Sequence, residues 1–110
     1  MGSKISILAA RIKENPNDSF SKFALALELL NIDQMDKAKV LFESIVTADP
    51  DYVGVYYHLG KIYIEIDENK KAVKTYKDGI SIAEKGNHPH AKSELQGALL
   101  ALELNLEDQL

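Results

Sequence analysis

The chain has 110 residues, 45% hydrophobic and 27% charged, the composition of a folded globular protein rather than a disordered one. Seventeen acidic against thirteen basic residues give a net charge of −4, and without a basic block this argues against binding nucleic acid or an anionic membrane. Cysteine is absent, so disulfides, thiolate metal sites and cysteine nucleophiles are excluded. The one local group of cations, Lys70, Lys71, Lys74 and Lys77, is interleaved with Asp67, Glu68 and Asp78 and reads as a solvated helix face. No apolar run approaches the ~18 residues of a membrane span. The first residues lack the apolar block of a signal peptide, and a cytoplasmic location is expected.

In chain order, every long segment shows helical spacing and none sustains the alternation of a strand. Ile5, Leu8, Ala9 and Ile12 fall at i, i+3, i+4 and i+7; Pro16 stops that first helix. Asp18 or Ser19 caps a second helix with its body over 20–31. Asp33 is expected to cap a third, with Asp36 near its positive N-terminal end and Pro50 closing it. Asp51 is expected to cap a fourth helix, over about 52–66, and Asp67 a fifth. The fifth ends at Lys85-Gly86, with the glycine at a left-handed stop position. Asn87 or His88 caps a sixth, with Pro89 at its first position, running to about residue 107. Connections this short suit antiparallel helical neighbours.

The sequence repeats itself. Asn15-Pro16-Asn17-Asp18 and Asp49-Pro50-Asp51-Tyr52 carry the same punctuation 34 residues apart. Leu25 and Leu59, Ala26 and Gly60, Leu29 and Tyr63, Ala38 and Ala72, and Phe42 and Tyr76 keep that interval. Each unit is a helical hairpin, 19–31 with 34–48 and 53–65 with 68–84. Small residues at 26, 60, 38 and 72 let two helix axes approach, and the large residues beside them fill the flanks. Gly60 and Gly79 each cost ~1 kcal/mol in helix propensity relative to alanine, which close backbone packing explains. Gly60 is expected to lie near Ala72.

These residues resemble the tetratricopeptide repeat family. The second unit carries the family's pattern in Tyr56, Leu59, Gly60, Tyr63, Ala72 and Tyr76, with Gly79 in place of an alanine and Glu84 in place of a proline. The first carries it in Leu25, Ala26, Leu29, Ala38, Phe42 and Pro50, and departs from it at Lys22, where an aromatic is expected (Phe23 comes one residue late), and at Ile45. The resemblance implies an all-α, right-handed superhelix of antiparallel hairpins, with about 2.5 repeats and about six helices in one domain spanning 1–110. Its segments are an N-terminal partial-repeat helix at 4–15, repeats at 19–52 and 53–86, and a C-terminal capping helix at 88–107.

Chemistry finds no foothold. His58, His88 and His90 lack the spacing of a metal site, the carboxylates sit where helix caps want them, and no nucleotide-binding or nucleophile motif occurs. No enzymatic activity, cofactor or metal is expected. The resemblance instead implies a concave binding face, given in the first unit by Phe20, Phe23, Ala24, Leu27, Leu30 and Asn31. In the second it is given by Gly54, Tyr57, His58, Lys61, Ile64 and Glu65. Two readings of the apolar first-unit stripe stay open, groove or core covered by neighbouring helices. Tyr57, His58, Lys61 and Ile64 suit a peptide anchored through apolar side chains, with a polar end oriented by Lys61 and His58. The family's two-carboxylate clamp for chaperone C-terminal tails needs lysine and asparagine where this chain has Phe23, Leu27 and His58, and it also needs a third repeat. A helical-repeat RNA binder would need a basic groove in place of Phe20, Phe23 and Leu27.

The sixth helix carries two apolar stripes. Ala91, Leu95, Ala98, Leu99, Leu102 and Leu106 would seal the second repeat, while Gly97, Leu100, Ala101 and Leu104 face the other way. A terminal helix is normally polar on its outer face, so this second stripe suggests self-association into a homodimer. The function expected is a protein–protein interaction scaffold of the cytoplasm. The alternative is a structural module whose main role is homo-oligomerisation.

Overall fold

The computed structural model describes residues 3–108, and all regular structure among them is helical. Six helices follow in order: α1 (Lys4–Glu14), α2 (Ser19–Asn31), α3 (Met35–Ala48), α4 (Gly54–Glu65), α5 (Asn69–Lys85) and α6 (Pro89–Asp108). They form two compact units, dividing between Tyr52 and Val53.

In the first unit α2 packs against both α1 and α3. Asp18 caps α2: its carboxylate accepts from the Ser21 N–H at 3.0 Å and from the Ser21 hydroxyl at 2.6 Å. The Ser21 hydroxyl is the main reason the Asp18 carboxyl titrates below its ordinary value. Ala26 and Ala38 have no exposed surface, so the α2–α3 crossing is close, and Leu25, Phe42 and Ile45 fill it. Lys22, the departure from the aromatic pattern, is buried all the same. Its stem lies in the crossing and its Nζ donates to Ser44 Oγ on α3 at 3.0 Å. Phe23 supplies the displaced ring, with its centroid 5.8 Å from Phe42 and 5.4 Å from Tyr52.

In the second unit α5 packs against α4 on one side and α6 on the other. The α4–α5 crossing is built from two reciprocal contacts. A Cβ placed on Gly60 would come within 2.7 Å of Cδ1 and Cζ of Tyr76, and one on Gly79 within 2.5 Å of Tyr56 Cβ. Each helix seats a tyrosine on the other's glycine, and both tyrosines are buried. The nearest atoms opposite Gly60 are therefore those of the Tyr76 ring, one turn along α5 from the buried Ala72. Lys71 lies 5.7 Å over the Tyr63 ring and Lys74 pairs with Asp78 at 2.6 Å, so these two members of the lysine group are engaged along the helical surface.

The helix ends correct the sequence reading. Asp33 and Asp67 are not N-caps. Both adopt the left-handed conformation, φ 60° in each, directly after α2 and α4. The Asp33 and Asp67 N–H groups donate to the carbonyls of Leu30 and Ile64, and the next N–H groups, of Gln34 and Glu68, reach Leu29 and Tyr63 at 2.8 Å. This is the paired-bond helix stop in which aspartate tolerates the left-handed region better than most residues. Gln34 and Glu68 then take the cap positions of α3 and α5 without a side-chain bond, and Val53 takes that of α4 where Asp51 was expected. The same stop closes α5, with Asn87 left-handed at φ 56° and Gly86 at φ −84°. Asparagine thus does there what the glycine was expected to do.

The glycines separate by function in the packing. Gly60→Ala and Gly79→Ala should each lower the melting temperature, because overpacking a filled contact costs roughly 1–3 kcal/mol and outweighs the ~1 kcal/mol gained in helix propensity. Gly97→Ala, where an added Cβ meets nothing within 4 Å, should raise it. Thermal melts of the three variants beside the parent check both signs.

Candidate functional site

The second unit holds a groove of about 430 Å³ between α4 and α6. Tyr57, Lys61 and Ile64 form one wall, a turn apart along α4; Ala98, Ala101, Leu102 and Asn105 of α6 form the other, and Tyr76 of α5 lies at the back. The floor depends on the crossing beneath it. The Tyr76 ring that closes on Gly60 also faces this groove, and burial raises its hydroxyl to about 12, so the phenol stays protonated at neutral pH. The small side chains of Ala98 and Ala101 leave the space that larger residues would fill.

The polar groups are few. Lys61 Nζ sits 5.5 Å from the Tyr57 ring centroid, and among the described residues no carboxylate pairs with it. Asn105 supplies an amide from the opposite wall. His58 meets the Tyr57 ring edge-on at 5.7 Å. Burial pushes the His58 imidazole below its ordinary value; Glu94 pulls the other way and Lys61 adds to the depression. The lining therefore carries one cation, no carboxylate and a mainly apolar surface, a combination suited to holding an apolar side chain next to a polar or anionic group.

Of the residues the sequence singled out in this unit, the fold brings Tyr57, Lys61 and Ile64 together, with His58 beside Tyr57 and outside the lining. In the first unit Phe20 is 65% exposed and Asn31 is exposed, while Leu27 and Leu30 are half-buried. Phe23 is drawn into that unit's packing against Phe42 and Tyr52. On α6, Gly97, Leu100, Ala101 and Leu104 are all exposed, and Ala101 also lines the groove. Sequence reasoning missed Tyr76, Ala98, Leu102 and Asn105 as lining residues. A signal was available. Leu95, Ala98 and Leu99 repeat the spacing of Leu59, Ile62 and Tyr63 at an interval of 36, two residues out of phase with the 34-residue repeat.

Among the described residues no three of His, Asp and Glu converge where a metal could sit, and no helix is long and apolar enough to cross a membrane.

Comparison with known proteins agrees with this architecture. The profile of the tetratricopeptide repeat family matches residues 33–99, and the chain belongs to that family of helical repeats, which generally mediates protein–protein interaction. It is similar to a tetratricopeptide repeat domain protein from Salinibacter ruber, known from a crystal structure at 46% identity and a TM-score of 0.76, the match covering 78% of this chain and 96% of that one. A solution NMR structure of a tetratricopeptide repeat domain protein from the same organism matches at 46% identity and a TM-score of 0.76, covering 81% of this chain and 90% of that one. No curated protein matches the sequence.

The depressed His58 has a consequence for stability. A histidine whose folded value lies below its unfolded value of about 6.5 binds more protons unfolded, so its contribution is complete above that pH and is lost as pH falls through the folded value. Melting temperatures across a pH series should fall on acidification below about 6.5 more steeply for the parent than for His58→Gln. Equal slopes would place His58 in contact with solvent.

Proposed function

We propose that the chain is a non-catalytic interaction scaffold of the cytoplasm that captures a peptide or partner segment in the groove formed by Tyr57, Lys61 and Ile64 with α6. The observation that carries this reading is the groove itself, an apolar recess with one cation that no carboxylate among the described residues neutralises. An apolar anchor enters beside Tyr57 and Ile64, and a carboxylate or carbonyl of the bound segment meets Lys61. His58 supports the Tyr57 ring from the side. The first unit, taken by itself, offers a largely apolar strip of Phe20, Leu27, Leu30 and Asn31 to a partner, while Phe23 is packed against Phe42 and Tyr52.

A second reading rests on α6. Leu100 and Leu104 are 57% and 52% exposed, and with Gly97 and Ala101 they give a helix face able to meet another such face in a homodimer.

Selection from a displayed random-peptide library, followed by fluorescence anisotropy with the enriched peptide, tests the groove. Tyr57→Ala/Lys61→Ala should weaken binding at least about tenfold, the loss of one anchoring contact, while far-UV circular dichroism stays that of the parent. Unchanged binding would remove the groove as the site. A variant that unfolds would show Tyr57 to be core.

A further inference from the structure

Three glycines lie inside helices of the second unit, and they are not alike. Gly60 and Gly79 are filled by tyrosines from the facing helix, while a Cβ on Gly97 would meet nothing within 4 Å. Gly97 therefore carries the helix penalty of glycine with no internal packing to explain it. It stands in a column with Ala101, one turn on, beside a second column of Leu100 and Leu104. This face points away from Leu95 and Leu102, the buried residues of α6. Small residues beside protruding leucines are what close helix–helix contact requires. Ala101 belongs both to this face and to the groove lining, so the face and the groove meet at this residue.

The charges say what fits there. Lys61 projects at the groove without a carboxylate among the described residues. The last turns of α6 carry Glu103, Glu107 and Asp108, all exposed and without a cationic partner among those residues. The chain thus holds both halves of a complement. One is an apolar recess with a free cation; the other is a helix presenting leucines flanked by carboxylates, which cannot turn back into its own groove because it already forms one wall.

We propose that the occupant of this surface is α6 of a second copy: Leu100 and Leu104 of each copy pack over the other's Gly97, Ala101 and groove mouth, with the acidic last turns of α6 set near the other's Lys61. The contact is isologous, so each favourable pair occurs twice. It also makes self-association and peptide capture exclusive, since one copy's α6 covers the groove of the other. A groove ligand then drives the dimer apart and dimerisation weakens the ligand, by the same factor. This last consequence rests on the groove being the peptide site; the dimer itself does not.

Sedimentation velocity of the full chain from about 1 µM to about 500 µM tests the dimer by mass action. The weight-average sedimentation coefficient should climb from the monomer value toward the dimer value, with a dependence on salt because an ion pair contributes. Leu100→Glu/Leu104→Glu should stay monomeric throughout, with unchanged circular dichroism since both leucines are exposed. Lys61→Glu should weaken the dimer about tenfold or more, and mixing it with Glu103→Lys/Glu107→Lys should restore association between the two variants. A parent that is monomeric at the top concentration overturns the proposal, as does a dimer that survives Leu100→Glu/Leu104→Glu and so uses another face. A dimer lost with the leucines but indifferent to Lys61→Glu overturns the groove contact and leaves only a leucine face. None of these results touches peptide capture, which the anisotropy of Leu100→Glu/Leu104→Glu with the enriched peptide reports separately: tighter binding than the parent at high protein concentration supports the competition, and equal binding overturns it.

Discussion

Two tyrosines seated on two glycines, Tyr76 by its ring and Tyr56 by the root of its side chain, set the spacing of α4 and α5, and the second unit is organised around that crossing. Tyr76 occupies the place of a Gly60 side chain and Tyr56 that of a Gly79 side chain. Each ring buries a large apolar area while its seat on backbone brings the helices closer than two ordinary side chains would allow. The arrangement uses glycine where glycine is costly, inside helices, and the burial of two whole tyrosines offsets that cost. The first unit reaches the same end with milder means, Ala26 and Ala38 at the crossing and Phe42 beside them.

The crossing also makes the site. Because Tyr76 leans onto Gly60, its other side is presented to the space between α4 and α6, and the groove has an aromatic back wall. α6 completes it by packing against α5, where Leu95 lies next to Gly79, and Ala98, Ala101 and Leu102 line the groove with Tyr57 and Lys61. Their small size is as consequential as the aromatic residues opposite. A leucine at either position would occupy the recess that gives the groove its volume.

The connections explain how such short hairpins keep register. Asp33 and Asp67, 34 residues apart, take the same left-handed conformation and the same pair of backbone bonds. Each ends one helix and hands the chain to the next within two residues. Aspartate is suited to this position because its short polar side chain tolerates positive φ, and it remains soluble at an exposed corner. The same residue type at Asp18 works from the other side of a helix boundary, as a true N-cap bonded to Ser21.

Local spacing was enough to read the helical class, the 34-residue period, the small residues of the crossings and the resemblance to the family: apolar residues at helical intervals, small residues at crossings, proline and aspartate at ends. It also singled out Tyr57, Lys61 and Ile64, which share a face of one helix. What it left undecided depends on contacts between helices. Whether an aspartate caps a helix start or closes a helix end turns on one backbone dihedral, and Asp33 and Asp67 fit either reading until φ is known. That the ring of Tyr76, and not a smaller side chain, makes the tightest contact with Gly60 follows only from the crossing geometry. Phe23 shares its helical stripe with Phe20, yet the first is packed by Phe42 and Tyr52 and the second is open to solvent. The second wall of the groove lay hidden because α6 repeats the buried spacing of α4 at 36 residues instead of 34. Tertiary packing alone converts that shift into Ala98, Ala101 and Asn105 standing opposite Lys61, because rotating a helix by two residues changes which of its side chains meet a neighbour.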